Sequence, residues 1–152
     1  MDPIAHTGPV TADVAQAIVD AVTRKARELG VRISVAVVDD GANLKAFLRM
    51  DGAEIAGPIL AQDKAFTAVA VRCATHELAE FTQPGQPLFG LNAGAGGRLV
   101  IYGGGVPLVS DGVVAGTNAR LAALRWPERT LMFDDGHAQA TEGFLVACEP
   151  GG

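Results

Sequence analysis

Lys64 is the residue of this sequence whose surroundings most clearly suggest chemistry. In a helix through this region it lies one turn from Leu60 and one turn from Ala68, so its aliphatic stem follows an apolar stripe. Burial would lower the pKa of an amine held there, whereas a neighbouring carboxylate would raise it. Such a lysine could anchor an acidic ligand group or act as a base, or it could extend its amine to solvent. Asp63 points roughly 100° away around the helix and is expected to form a hydrogen bond with solvent or with another element.

His76, which is followed by Glu77, is the second candidate for chemistry. An imidazole at this position could carry protons or act as an axial iron ligand, although a surface histidine at a helix start is the commoner case. The three histidines, at positions 6, 76 and 137, do not have metal-ligand spacing. We therefore name Lys64, His76 and Glu77 as the candidate catalytic residues, and whether a metal is bound stays unknown from the sequence.

A long loop rich in glycine and proline spans residues 83–97. Loops of this length commonly line a pocket or form an interface between subunits, and both alternatives stay open here. Its glycines and the triplet at 103–105 do not follow a phosphate-binding pattern, so turns and close backbone approach explain them. The predicted ligand-binding residues are Lys64, Pro84, Phe89, Asn92, Arg98 and Tyr102.

Hydrophobic periodicity predicts the elements that position these residues. In the first half we expect a helix over 11–29 that begins at Thr11 and ends at Gly30, and a hairpin with a turn at 39–43. A helical pattern over 54–72, whose regular part starts near Pro58, comes next, followed by a shorter helix over 76–81 that is capped by Thr75. The expected elements of the second half are strands at 98–102, 106–110 and 113–115, a helical turn at 119–124 and a strand at 130–133.

This order of elements predicts an α+β domain in which helices pack on one face of a single antiparallel sheet. The chain has 152 residues, of which 49% are hydrophobic, and a formal net charge of −5. An acidic chain with few aromatic residues is a poor partner for nucleic acid, and no apolar run is long enough to span a membrane. The N-terminus does not resemble a secretory signal, so we expect a cytoplasmic protein, with Cys73 and Cys148 reduced, that acts on or holds a small molecule.

Several sequence stretches occur together in one order between residues 11 and 116. They are VAVVD at 35–39 followed by Gly41, FLRMDGA at 47–53, DKAFTA at 63–68, Pro84-Gly85 with Gly90, and GRLVIYGGGVPL at 97–108. This combination resembles the haem-degrading or GlcG/HbpS-like family, whose relatives include the C-terminal domain of PduO-type adenosyltransferases. The resemblance implies a profilin- or roadblock-like fold, a homo-oligomer of two to eight subunits, and haem or a corrinoid as ligand.

The likeness to the family weakens towards the C-terminus, where the glycine-rich stretch of its members is missing. We therefore expect residues 1–117 to form the GlcG/HbpS-like domain and residues 118–152 to be a divergent C-terminal segment of the same domain.

Three functional hypotheses follow. The leading one is an oligomeric small-molecule-binding protein in which Lys64 pairs with an acidic group of the ligand and the loop around 84–92 covers it. The alternative is a lyase, isomerase or cyclase acting on a small organic acid, with Lys64 as base or anchor and His76 or Glu77 as proton carrier. The third hypothesis is an accessory or scaffold subunit.

Overall fold

The structure, a computed structural model, describes residues 10–110, 113–122, 130–134 and 137–141, with side chains over 10–108. Its helices and strands follow each other in an α+β order. The helices are α1 (Ala12–Glu28), α2 (Gly57–Val71) and α3 (Leu78–Phe81). The strands are β1 (Ile33–Asp39), β2 (Leu44–Arg49), β3 (Gly105–Ser110), β4 (Val113–Ala122), β5 (Thr130–Asp134) and β6 (His137–Thr141).

Four of the strands form one antiparallel sheet in the order β2-β1-β4-β3, and β5 pairs with β6 in a separate two-stranded sheet. The centre of the larger sheet is β1, whose residues are buried on both faces. Val35 and Val37 pack with α1, whereas Ala36 and Val38 pack with α2. The expected α+β fold with an antiparallel sheet is confirmed. The helices cover both faces, however, because both sets of alternating side chains in β1 are apolar.

At the ends of α1 and in the β1–β2 turn, the structure shows the capping and turn contacts that the sequence predicts. The Thr11 hydroxyl accepts a hydrogen bond from the Val14 N–H at 3.3 Å, and Gly30 adopts a φ of +68° just after α1. In the β1–β2 turn the Asp39 carboxylate accepts bonds from the backbone N–H groups of Gly41 and Asn43. The first helix and the first hairpin are thereby confirmed.

Three local predictions are wrong. Residues 98–102 do not form a strand, because the Val100 N–H donates to the Thr67 hydroxyl on α2. Thr75 does not cap a helix, since its hydroxyl accepts from the Gly105 N–H at 2.9 Å and α3 begins only at Leu78.

The third error concerns residues 119–124, for which a helical turn was expected. Residues 119–122 lie in β4 and pair with residues 33–36 of β1, so pairing with a buried strand overrides local helix propensity. Residues 123 and 124 lie outside the described residues, as does the turn expected at 111–112. The strand expected at 130–133 is confirmed as β5.

We predict that the Thr67 hydroxyl, and not its packing, holds the 98–105 segment on α2. The side chain is fully buried, accepts from the Val100 N–H at 2.9 Å and lies 2.7 Å from the Asp63 carbonyl and 3.2 Å from the Arg98 carbonyl. Thr67→Val leaves the Val100 N–H without this partner and should lower the free energy of unfolding by about 1–3 kcal/mol. Thr67→Ser keeps the hydroxyl, so in urea unfolding it should lower the free energy of unfolding by less than Thr67→Val does, although valine matches the volume of threonine better. The opposite order would show that packing dominates.

Candidate functional site

Helix α2 is apolar on nearly all sides, which is typical of a helix buried within a domain. Its small residues Ala61 and Ala65 are fully buried and pack against Ala36 and Val38 of β1. Small side chains let the helix axis approach the sheet closely. Lys64 lies between these alanines in sequence, and its side chain is only 3% exposed.

The amine of Lys64 lies over the ring of Tyr102, with 4.5 Å between Nζ and the ring centroid. Burial lowers the pKa of this amine from 10.5 to about 8, and the negative charge of Glu54 acts in the opposite direction. Within residues 10–108, no carboxylate lies within ion-pair distance of Nζ. The amine is therefore a buried cationic centre whose close partner is an aromatic face.

Tyr102 is in contact with solvent, since 37% of its surface is exposed. Burial of the rest of the residue raises the pKa of its phenol, and the charge of Glu54 raises this pKa further. The hydroxyl is consequently protonated at neutral pH. The structure thus brings together two of the predicted ligand-binding residues, Lys64 and Tyr102.

Gly105 explains how Tyr102 comes to lie beside α2. A Cβ atom added at Gly105 would be 2.5 Å from the Lys64 carbonyl oxygen and 2.9 Å from Thr75 Cγ2. No side chain fits at this position, as expected from the close approach predicted for the glycine triplet. The backbone leading into β3 therefore touches α2 at Lys64 itself.

Arg98, a third predicted ligand-binding residue, is fixed by the adjacent turn of α2. Its Nε donates to Asp63 Oδ1 at 2.9 Å, and its guanidinium carbon lies 3.9 Å from the centroid of the Phe66 ring. Asp63 forms the bond to another element that its helix position predicts. Because Arg98 is 48% exposed at its side chain and uses Nε for Asp63, its terminal nitrogens remain open to solvent or a ligand.

His76 and Glu77 lie on the surface. The Glu77 carboxylate accepts a bond from the Ala74 N–H at 3.2 Å, and no described contact joins either residue to Lys64. Burial, and secondarily the charge of Glu77, raises the pKa of the free Cys73 thiol, which makes it a poor nucleophile. Cys148 and His6 lie outside the described residues. Within the described part of the chain, no three His, Cys, Asp or Glu side chains are grouped as metal ligands.

The long loop is a series of tight turns with short 3-10 helices at Leu91–Ala93 and Ala95–Gly97. Its start is tied to α3 by a bond from the Leu88 N–H to the Phe81 carbonyl. Pro84, Phe89 and Asn92 are exposed, and Phe89 shows 66% of its surface to solvent. Their assignment to a ligand site stays a prediction.

Sequence reasoning did not find Glu54 and Phe66 as partners of the site. Glu54 precedes α2, so no helical spacing connects it to Lys64. In the sequence Phe66 resembles any apolar residue of a helix. Its partner Arg98, which stacks on its ring, lies 32 positions later. Neither residue carries a local signal that could have identified it.

The fold and the site define an α+β domain with a buried lysine on its central helix. The model of the family described as "Haem degrading protein HbpS-like" matches residues 10–118. The chain belongs to this family, and the expected resemblance is confirmed. Among the described residues, none of the helices is both long and apolar enough to cross a membrane.

Individual relatives agree with this membership. The chain is 40% identical to corrinoid adenosyltransferase PduO of Salmonella typhimurium over 96 residues, which are 63% of this chain and 29% of PduO. The fold is similar to the Klebsiella pneumoniae protein ORFY, with a TM-score of 0.75, 32% identity, and coverage of 82% of this chain and 86% of ORFY. The fold is also similar to PduOC in its haem complex, with a TM-score of 0.72 and 34% identity. This match covers 74% of this chain and 82% of the PduOC chain.

We predict that Lys64 makes stability depend on pH. Because its pKa is lower in the folded state, the unfolded chain binds more protons between pH 8 and 10.5, so stability rises with pH in that range. Protonation of the buried amine costs up to about 3 kcal/mol below pH 8. In urea unfolding at pH 7.5 and 9.5, Lys64→Met should be more stable than wild type at the lower pH and lose most of that advantage at the higher pH. An advantage that does not change with pH would contradict the lowered pKa.

Proposed function

We propose that this chain binds a small molecule carrying an acidic group at the site formed by Lys64 and Tyr102, and that the molecule is haem or a related tetrapyrrole such as a corrinoid. The observation that carries the proposal is Lys64 itself, a residue that is only 3% exposed and whose amine has no carboxylate within ion-pair distance among the described side chains. A buried cation without a counter-ion is costly, and a ligand carboxylate would remove much of that cost.

The residues present fit haem in charge and in polarity. Haem is a flat apolar ring with two carboxylates. Lys64 would pair with one carboxylate, the open nitrogens of Arg98 could take another, and the partly exposed ring of Tyr102 offers apolar contact. The structure of PduOC, a relative of similar fold, is described as a haem complex, which supports this choice. Bound haem would supply redox-active iron, and His76 stays the candidate iron ligand from the sequence.

Binding of an acid at Lys64 would be linked to proton uptake. The free amine has a pKa of about 8, and an adjacent carboxylate would raise it. At a pH between the pKa of the free amine and its higher pKa in the complex, the complex holds more protons than its free components. The affinity for the acid therefore falls as the pH rises above 8.

The enzymatic alternative receives less support. A lyase or isomerase would need a proton carrier beside Lys64, and the described contacts of Glu77 involve Ala74 and Cys73. His76 is exposed and has no described contact with the amine. Ligand binding requires only the cation and the apolar surface around it.

The haem proposal is tested by titrating the protein with haemin and following the Soret band at pH 7 and pH 9. Wild type should show a saturable shift, with weaker binding at pH 9. Lys64→Met should bind about tenfold more weakly at pH 7, corresponding to about 1.4 kcal/mol, and should lose the pH dependence.

Lys45→Met is the matched control, since it removes an exposed lysine from β2 and should behave as wild type. Absence of a saturable shift in wild type would rule out haem as the ligand, and equal behaviour of the two lysine variants would overturn the assignment of the site to Lys64. Parallel titration with a cobalamin distinguishes a corrinoid from haem.

Self-association and a cytoplasmic location complete the proposal. Ile55, just before α2, is 93% exposed, and Ile59, in its first turn, is 67% exposed. Large apolar side chains on a surface favour contact with another protein. Native mass spectrometry should give a mass of at least two subunits, and a monomer at micromolar concentration would contradict this part of the proposal.

A further inference from the structure

The chain contains three lysines, and they lie in very different surroundings. Lys25 forms an ion pair with Glu28 on α1, with 3.3 Å between Nζ and Oε2. Lys45 is exposed on the edge strand β2. Lys64 alone is buried, so the protein carries two internal controls for any reaction of its buried amine.

The close contact of the Lys64 amine is a ring face and not an anionic oxygen. Nζ lies 4.5 Å from the Tyr102 centroid, and among the side chains of residues 10–108 the titratable groups that interact with it are Tyr102 and, at longer range, Glu54. A carboxylate in direct contact would hold the proton on nitrogen strongly, whereas a ring face stabilises the charged amine only in part. The ring that covers the amine is itself partly in contact with solvent.

This setting raises the fraction of the amine that is unprotonated and therefore reactive, although the cation is still the major form at pH 7. With a pKa of about 8, about one molecule in ten has a neutral Lys64 at pH 7, against about one in three thousand at the ordinary value of 10.5. A less basic amine is a weaker nucleophile, and this offsets part of the gain. Desolvated lysines of this kind are the ones that react with carbonyl compounds in proteins.

We propose that Lys64 is a nucleophile that forms an imine with small aliphatic aldehydes. The inference rests on the proposed function in that it uses the same site, but it requires a carbonyl group in the ligand and not an acid. An aldehyde is neutral and small, so its entry would bring no charge into the apolar surroundings of α2.

The reaction balances without a further reactant. The nitrogen lone pair attacks the carbonyl carbon, the C–N bond forms, and the π electrons move to oxygen. A proton passes from nitrogen to this oxygen to give a carbinolamine. Loss of water, which carries away the former carbonyl oxygen, leaves the C=N bond. The imine nitrogen takes a proton from water, and cyanoborohydride, added only as a trap, transfers hydride to the carbon of this protonated imine to give a stable secondary amine.

The test is to treat the whole protein with limiting acetaldehyde and cyanoborohydride at pH 7, and to measure alkylation at each lysine by peptide mass spectrometry. Lys64 should react on the order of tenfold faster than Lys45 and Lys25. Its rate should rise with pH and level off above about pH 8, where its amine is mostly neutral. In guanidinium chloride the three lysines should react at similar rates, because the preference depends on the fold.

Lys64→Arg keeps the charge but forms no comparable imine, so the fast phase should disappear while the slow alkylation of Lys25 and Lys45 continues. Wild type provides its own comparison and needs no variant to fold. Native alkylation of Lys64 that is no faster than that of Lys45 would overturn the inference.

The result is separate from the haem titration. Haem binding that depends on Lys64, without fast alkylation, would leave the proposed function standing and remove this inference. Fast alkylation of Lys64 without haem binding would support this inference and remove haem as the ligand of the proposed function. Protection of Lys64, but not of Lys45, by added haemin would place both ligands at one site.

Discussion

The close contact between α2 and the segment leading into β3 is the constraint on which the site depends. Gly105 touches the Lys64 carbonyl, and the hydroxyls of Thr67 and Thr75 bind backbone groups of the 98–105 segment. These contacts satisfy buried polar atoms without adding side-chain bulk. They also bring Tyr102 over the Lys64 amine, so the geometry of the site follows from how two backbones pack.

Burial of Lys64 is unfavourable for folding at neutral pH. The cation–π contact recovers part of the cost, typically about 0.5–2 kcal/mol, and the negative charge of Glu54 also favours the charged amine. The remaining cost can be offset by a ligand. Removal of the lysine is expected to stabilise the free protein and to weaken its complexes, a combination that is typical of functional residues.

Local patterns predicted the elements in the first half of the chain because each has its own signals. Thr11 and Gly30 bound α1, and Asp39 closes the hairpin turn through bonds to its own neighbours. The errors fall where distant partners decide. Residues 98–102 are apolar enough for a strand, but Val100 pairs with Thr67 across 33 positions. Thr75 has the chemistry of a helix cap, yet Gly105 takes its hydroxyl.

The sequence by itself determined the family, the antiparallel sheet and the position of Lys64 on an apolar helix, because periodicity and ordered motifs are properties of neighbouring residues. Only the tertiary structure decided what surrounds that amine. Tyr102 and Glu54 reach it from separate segments, and Phe66 and Asp63 hold Arg98 from α2. The charge state of a buried lysine depends on solvent exclusion and on the charges around it, and chain folding sets both.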